Sequence, residues 1–326
     1  MKHYSILDNV GNTPVVSIDI PDKEYLTLQC KIEGYNPTGS VKDRAASYIL
    51  KKLLQNNTID QSTVIIESTS GNFGVALSTF CKHLNLKFIA VVDPYITSMN
   101  EMLIRANGAK IIKVQKPDEY GGYLLNRIAK VKEIQASLPN TYWVNQYANP
   151  LNAKAYYNSL GKEICYQTDE LDYLFLGISS GGTICGVSQK VKENFPNAKI
   201  IAVDVEGSRI FSENATKKRF IPGIGSSMRP AILDHAIIDD VVMVNEEETV
   251  EGCHQLLNNH NLFVGGSSGS VYTGIQKYFQ DKHYEQKIYV ATVFPDRGER
   301  YFDTIYNQNW LEGVIAQKEA AQEVLS

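Results

Sequence analysis

The feature that most restricts the fold is an alternation. Along the 326 residues, short apolar runs of strand character give way to stretches whose apolar residues recur at helical spacing, with polar turns at the junctions. Strands are predicted at 15–20, 26–32, 64–67, 88–92, 111–114, 142–145, 173–177, 200–205, 241–244 and 288–294. Helical patterns fall at 73–84, 98–107, 121–138, 153–166, 183–194 and 249–258. Such order implies an α/β fold with parallel sheets, right-handed crossovers and helices on both faces. A Gly- and Ser-rich stretch at 221–228 breaks the rhythm. A glycine turn at 265–270 should feed a helix to about residue 280, and a terminal helix should begin near Tyr301. The charged, alanine-rich tail after Trp310 reads as a surface helix or a frayed end. With 43% hydrophobic residues, the chain can bury a large core and is expected to form two domains.

The second strand delivers the turn Asn-Pro-Thr-Gly-Ser-Val-Lys-Asp-Arg at 36–44. Pro37 and Gly39 punctuate it, Ser40 is the expected N-cap, and Ala45, Ala46, Ile49, Leu50, Leu53 and Leu54 follow at helical spacing. Lys42 therefore stands at a helix start. The positive backbone dipoles there, and any desolvation, favour the neutral amine that Schiff-base chemistry requires. The alternative is a solvated lysine beside an Asp43 and Arg44 pair.

Three more polar loops lie where strands end and helices begin, the places where open α/β sheets bind ligands. Ser68-Thr69-Ser70-Gly71-Asn72 offers hydroxyls and free N–H groups to a carboxylate, or is simply an N-cap cluster. Ser179-Ser180-Gly181-Gly182-Thr183 has the small residues of an anion nest, with neither the lysine of a Walker loop nor dinucleotide glycine spacing. Asp204 and Glu206, about twenty residues further on, keep a ribose-binding, nucleotide-dependent oxidoreductase open. In Gly265-Gly266-Ser267-Ser268-Gly269-Ser270, a serine hydroxyl can bond a ring nitrogen without protonating it.

Charge and cysteine usage exclude other classes. A net charge of -4 provides no basic face for nucleic acid. Five cysteines without a C-x-x-C pair argue against a disulfide framework or a metal site, and for a reducing compartment. The first twenty residues lack a signal-peptide pattern and no apolar run approaches a membrane span, so a cytoplasmic protein without membrane contact is expected.

Taken in order, residues 36–44, 68–72, 179–183, Pro222-Gly223-Ile224-Gly225 and 266–269 resemble the pyridoxal phosphate enzymes of the cysteine synthase and cystathionine β-synthase group, over residues 5 to about 310. The resemblance implies pyridoxal 5'-phosphate as cofactor and the fold-type II, tryptophan synthase β-like architecture. It also implies a smaller mobile domain at 45–150, a larger cofactor-binding domain from 1–44 and 151–326, small amino-acid substrates and a homodimer. By the same likeness Lys42 joins the cofactor aldehyde and moves the α-proton, and Asn72 bonds the ring hydroxyl. Ser179, Ser180, Gly181, Gly182 and Thr183 would hold the phosphate, and Ser267 would face the pyridine nitrogen. Thr69, Ser70, Gly71, Asn72 and Gln146 would grip the substrate carboxylate. With no carboxylate beside Ser267 the ring stays a weaker electron sink, which favours loss of a β-leaving group, formation of an aminoacrylate and addition of a second substrate.

Two departures bear on the substrates. Phe73 replaces the threonine usual in the sulfur-assimilating members, and Arg229 is either a phosphate ligand that would select O-phosphoserine or a surface arginine before Pro230. Val92-Asp93-Pro94, the segment 121–131 and Asn145-Gln146-Tyr147-Ala148-Asn149 resemble the siderophore-pathway synthases that join O-phosphoserine to L-glutamate. Their product, N-(2-amino-2-carboxyethyl)-L-glutamate, is a precursor of 2,3-diaminopropionate, and Tyr147 and Arg127 would contact the incoming glutamate. The phosphate loop, Ser180-Gly181-Gly182-Thr183, has the cysteine synthase form, so sulfide with O-phosphoserine or O-acetylserine stays open, as does a non-catalytic binding protein.

Overall fold

The computed structural model describes residues 5–118, 121–212 and 219–314. Strands β1 (Val15–Ile18), β2 (Leu26–Ile32), β7 (Tyr173–Gly177), β8 (Lys199–Val205), β9 (Asp240–Val244) and β10 (Ile288–Phe294) form a six-stranded sheet in the order β1-β2-β10-β7-β8-β9. Strands β3 (Val64–Ser68), β4 (Lys87–Val92), β5 (Lys110–Lys113) and β6 (Thr141–Trp143) form a four-stranded sheet in the order β5-β4-β3-β6. Every pairing is parallel except β1 with β2. Central strands of a parallel sheet are covered on both faces, and their sequences show it: Leu174, Phe175 and Leu176 of β7 are buried, as are Ile200 to Val203 of β8.

Helix α1 (Lys42–Gln55) buries Ala45, Ala46, Ile49, Leu50 and Leu53, the apolar face expected. Helices α2 (Asn72–His83), α3 (Ser98–Ala106) and α4 (Leu124–Ser137) flank the smaller sheet's strands in sequence. In the larger unit α5 (Pro150–Asn158), α6 (Leu160–Gln167), α7 (Gly182–Asn194), α8 (Glu246–His260) and α9 (Gly266–Phe279) cover the six-stranded sheet. Among the described residues, no helix is long and apolar enough to cross a membrane.

The structure corrects several local expectations. Helix 153–166 is two helices, broken at Ser159 (φ -125, ψ -84), whose hydroxyl donates to the Ala155 carbonyl at 2.7 Å. The glycine turn at 265–270 is already the first turn of α9. Its glycines serve close packing: a Cβ on Gly269 would sit 2.3 Å from the Thr249 carbonyl, and one on Gly252 of α8 2.5 Å from the Gly269 carbonyl. Ser40 lies one residue before the N-cap, Val41, and accepts the Lys42 N–H at 3.3 Å. Helix α4 begins three residues later than expected, after Gly121 in a left-handed conformation (φ 76). At the C-terminal end Gly298–Tyr301 is a 3-10 turn and the α-helix begins at 308. The tail beyond residue 314 lies outside the described residues.

Candidate active site

The lysine turn is fixed from beneath by a buried ion network. The Arg44 guanidinium donates to Glu33 at 2.6 and 2.8 Å and to Glu163 at 2.6 and 2.8 Å. Lys31 joins Glu163 at 2.7 Å. The Asp43 carboxylate accepts the Thr38 N–H at 2.6 Å and the Thr38 hydroxyl, closing the turn on itself. Lys42 is thereby presented to a cavity of about 440 Å3 between the two sheets, at the carboxyl ends of β3 and β7 and the starts of α1, α2 and α7.

Lys42 lines this cavity. Desolvation pulls its ammonium down to about 8, against the opposing pull of the Asp296 carboxylate. Asp296 accepts from Asn72 Nδ2 at 2.5 Å and from the Tyr301 hydroxyl at 2.6 Å, while its Oδ1 is buried without a partner. Burial raises its carboxyl above the ordinary aspartate value. Arg300 donates to Asn72 Oδ1 and to the Thr38 carbonyl, so Asn72 is gripped at both ends of its amide and tied to the lysine turn. A carboxylate thus stands in a wall that the sequence reading left without one, held on Asn72 and Tyr301.

The second wall gathers Thr69, Ser70, Gly71, Gln146, Tyr147 and Arg127. The Ser70 hydroxyl donates to Asp93 Oδ2 at 2.9 Å and accepts from the Asp93 N–H at 3.0 Å and from Arg127 at 2.9 Å. Arg127 also pairs with Asp93 at 3.3 Å. Behind the loop, buried Glu67 accepts the N–H groups of Ser68 (2.8 Å) and Gln146 (3.3 Å) and the Trp143 indole (3.4 Å), joining the ends of β3 and β6. Burial lifts its carboxyl to about 8 despite these donors. Gln146 is held by its Nε2 on the Ser68 carbonyl at 3.2 Å. Burial likewise raises the Tyr147 hydroxyl, which feels both Arg127 and Arg219.

The third wall is the 179–183 loop. Gly181 is left-handed (φ 83) and a Cβ there would meet Leu233 at 2.8 Å, while one on Gly182 would meet the Asn152 amide at 2.4 Å. The loop can therefore be built only from glycine at these points. Helix α7 starts at Gly182 with no side-chain cap, leaving the N–H groups of its first turn for an external anion. Ser179, Ser180, Gly181, Thr183 and Ser267 line the cavity; Gly182 supports the loop from behind. A cofactor phosphate fits this cradle, an aldehyde fits the depressed amine of Lys42, and a ring hydroxyl fits the fixed amide of Asn72.

Two expectations fail. Arg229 does not line the cavity: its guanidinium is half exposed and reaches Asp234 at 3.5 Å and the Ile210 carbonyl at 3.5 Å. Asp204, the acid of the nucleotide reading, is buried away from the cavity with Oδ1 on the Val205 N–H at 2.9 Å. The sequence reading also missed Asp93, Asp296, Arg209 and Arg219, all of which line the cavity. Asp93 and Asp296 had a signal, since each follows a predicted strand, 88–92 and 288–294, and Asp93 also lies in the Val92-Asp93-Pro94 segment named above.

Comparison with known proteins agrees with this geometry. A family model described as pyridoxal-phosphate dependent enzyme matches residues 6–296. The chain is similar to the O-acetylserine dependent cystathionine β-synthase of Helicobacter pylori, at 33% identity over 94% of this chain and 100% of that one, with a TM-score of 0.86. It is similar to a hydrogen sulfide-producing enzyme of Fusobacterium nucleatum, at 28% identity over 92% and 99% of the two chains, TM-score 0.85. It is also similar to an O-ureido-L-serine synthase, at 26% identity over 93% and 94%, TM-score 0.82.

Proposed function

The chain belongs to the pyridoxal-phosphate dependent enzyme family, and from that premise we propose that it is a β-replacement synthase. The reaction joins O-phospho-L-serine and L-glutamate to give N-(2-amino-2-carboxyethyl)-L-glutamate and phosphate. The observation that carries this reading is the charge of the cavity: among the described residues, Arg127, Arg209 and Arg219 line it besides Lys42, against Asp93 and Asp296. Both proposed substrates are anionic beyond the α-carboxylate that any amino acid carries, and a site with surplus cations favours O-phosphoserine over the uncharged ester of acetylserine and glutamate over an uncharged amine.

The cofactor, when bound, supplies an aldehyde for Lys42 and a ring that withdraws electrons from the substrate α-carbon. The protein's part follows from its own groups. The N–H groups of 181–183, with the Ser179, Ser180 and Thr183 hydroxyls, would hold the cofactor phosphate; Asn72, fixed by Arg300 and Asp296, would bond the ring hydroxyl; Ser267 would serve the ring nitrogen. Thr69, Ser70, Gly71, Asn72 and Gln146 bind the α-carboxylate. Lys42 Nζ, a base near neutrality because it is desolvated, takes and returns the α-proton. Arg127 and Tyr147 receive the glutamate, and Phe73 adds an apolar side that keeps water from the reacting carbon. The reading also takes residues 45–150 as a smaller unit that closes over the substrate, and the working particle as a homodimer.

A second reading, cysteine synthesis from sulfide, is favoured by the phosphate-loop sequence, and its use of O-acetylserine by the similarity to the O-acetylserine dependent cystathionine β-synthase. The deciding experiment offers the purified holoenzyme O-phosphoserine with glutamate and sulfide at equal concentration and identifies products by mass. The proposed reading predicts the glutamate adduct with stoichiometric phosphate. Cysteine alone would replace it with the second reading.

A further inference from the structure

Three arginines line the cavity, and they are not equivalent. Arg127 is ion-paired with Asp93 and bonded to Ser70. Arg209 follows β8 with its N–H on the Ser226 carbonyl at 2.8 Å. Arg219 is different in its partners. Among the described residues its guanidinium donates to the Ile224 carbonyl and the Ser227 hydroxyl, both at 3.2 Å and both neutral. A guanidinium has five donor hydrogens, so the Nε–H and part of the Nη set stay available.

The seat of this guanidinium is built. Gly225 is left-handed (φ 71), and a Cβ on it would lie 2.7 Å from Arg219 Nη1 and 2.8 Å from Val205 Cγ2, so only glycine leaves room for the arginine. The loop carrying both is anchored on three sides. Glu246 at the start of α8 accepts the Phe220 and Ile221 N–H groups, the Gly225 N–H donates to the Ile178 carbonyl at 2.7 Å, and the Ser226 N–H donates to the Ser208 hydroxyl at 3.2 Å. A cation held this firmly without a bonded counter-charge, in a cavity rather than on the surface, is prepared for an anion from outside. Burial pulls its guanidinium below the ordinary arginine value, against Asp204 and Glu246 acting from a distance.

We propose that Arg219, with the Ser227 hydroxyl, forms an anion subsite that takes the phosphate ester on the substrate's β-carbon, and so makes this chain select phosphorylated over neutral β-leaving groups. The inference deepens the reading of the function and rests on it for the identity of the substrate. It replaces Arg229, which the fold turns toward Asp234. The α-carboxylate loop and Gln146 hold one end of a bound amino acid, and the 222–227 loop forms another wall of the same cavity. A planar fork matches a phosphate with two parallel hydrogen bonds, which a lysine at the same place would not reproduce.

The test uses cofactor-loaded wild type, R219Q and R219K, each checked for retained cofactor absorbance. One readout is the ratio of kcat/KM for O-phosphoserine to that for O-acetylserine. A charged hydrogen-bonded contact corresponds to roughly a ten- to hundredfold change, so R219Q should lower the ratio by at least about tenfold, through KM, and R219K should fall between. The other readout is calorimetric titration of the loaded proteins with inorganic phosphate, the nest of 179–183 being already filled. Wild type should bind, and R219Q should bind about tenfold or more weakly. A ratio within about twofold of wild type together with unchanged phosphate affinity would overturn the subsite. If wild type consumes no O-phosphoserine, the substrate reading falls, and the phosphate titration alone decides for or against Arg219.

Discussion

Replacing Arg44 with methionine should be among the most damaging single changes outside the cavity, although Arg44 touches no substrate. Its side chain and that of Glu33 are both 0% exposed, and Glu33 meets it through two bonds of 2.6 and 2.8 Å. Without the guanidinium, Glu33 keeps Thr13 (2.6 Å) and Asn36 (2.8 Å) as donors among the described residues and becomes a buried charge with no bonded counter-ion, Lys31 acting on it only from a distance. Such a broken pair costs about 3–5 kcal/mol, and the two remaining donors place this case near the lower end, about 3 kcal/mol. Glu163 is 16% exposed, a glutamine in its place keeps an acceptor oxygen for Lys31, and Arg44 keeps Glu33, so Glu163→Gln should cost less, about 1–2 kcal/mol. Urea unfolding of wild type and both variants, followed by fluorescence of the two tryptophans, measures the differences. Equal losses for the two variants, or a loss below about 1 kcal/mol for Arg44→Met, would refute the claim that this buried pair carries the lysine turn.

Other expectations follow from the same geometry. Asp296→Asn should weaken cofactor retention, measured by fluorescence titration of the stripped protein: Asn72 and Tyr301 both donate to Oδ2, so the amide oxygen must stay there and its NH2 takes the buried Oδ1 position, which has no partner among the described residues. Glu67 has its carboxyl raised to about 8 by burial, so it is neutral at pH 7, and the raised value means stability is lost as pH climbs from about 4.5 toward 8. Glu67→Gln, neutral at every pH, should come closest to wild-type urea stability near pH 4.5 and gain on it steadily through pH 6 to pH 9. Glu163 behaves oppositely: burial alone would raise it, but Arg44 and Lys31 hold it near 2, so its stabilising effect fades as pH falls from about 4.5 to about 2. Arg229→Ala should leave KM for O-phosphoserine within about twofold, since it removes only a surface contact to Asp234.

The strands that sequence placed best were those buried on both faces. The ranges 26–32, 173–177 and 288–294 coincide with β2, β7 and β10: the last two are largely apolar runs with few other places to lie, while 26–32, Leu-Thr-Leu-Gln-Cys-Lys-Ile, alternates as a strand does. Ends set by hydrogen bonding were less legible: β6 stops at Trp143, where Asn145 turns left-handed (φ 53) and Gln146 reaches back to Glu67. The glycines at 265–269 misled because turning and close helix packing select the same residue, and only the neighbouring α8 tells them apart. Within the site, Lys42 and the residues of the 69–72 and 179–183 loops could be found because each sits at a strand-to-helix junction. Asp296 does follow a strand end, but what places it in the wall is its bond to the distant Asn72; Arg209 and Arg219 carry no such junction mark. Arg229 was misplaced for the same reason, since its distance along the chain from the Gly-Ile-Gly loop says nothing about the direction of its side chain.

The account stands or falls on the amine that the cavity holds near 8. Reduction of the yellow holoenzyme with borohydride, digestion and mass spectrometry should find one equivalent of reduced cofactor on the peptide that contains Lys42. Cofactor mass on another lysine peptide, or on none, would contradict it.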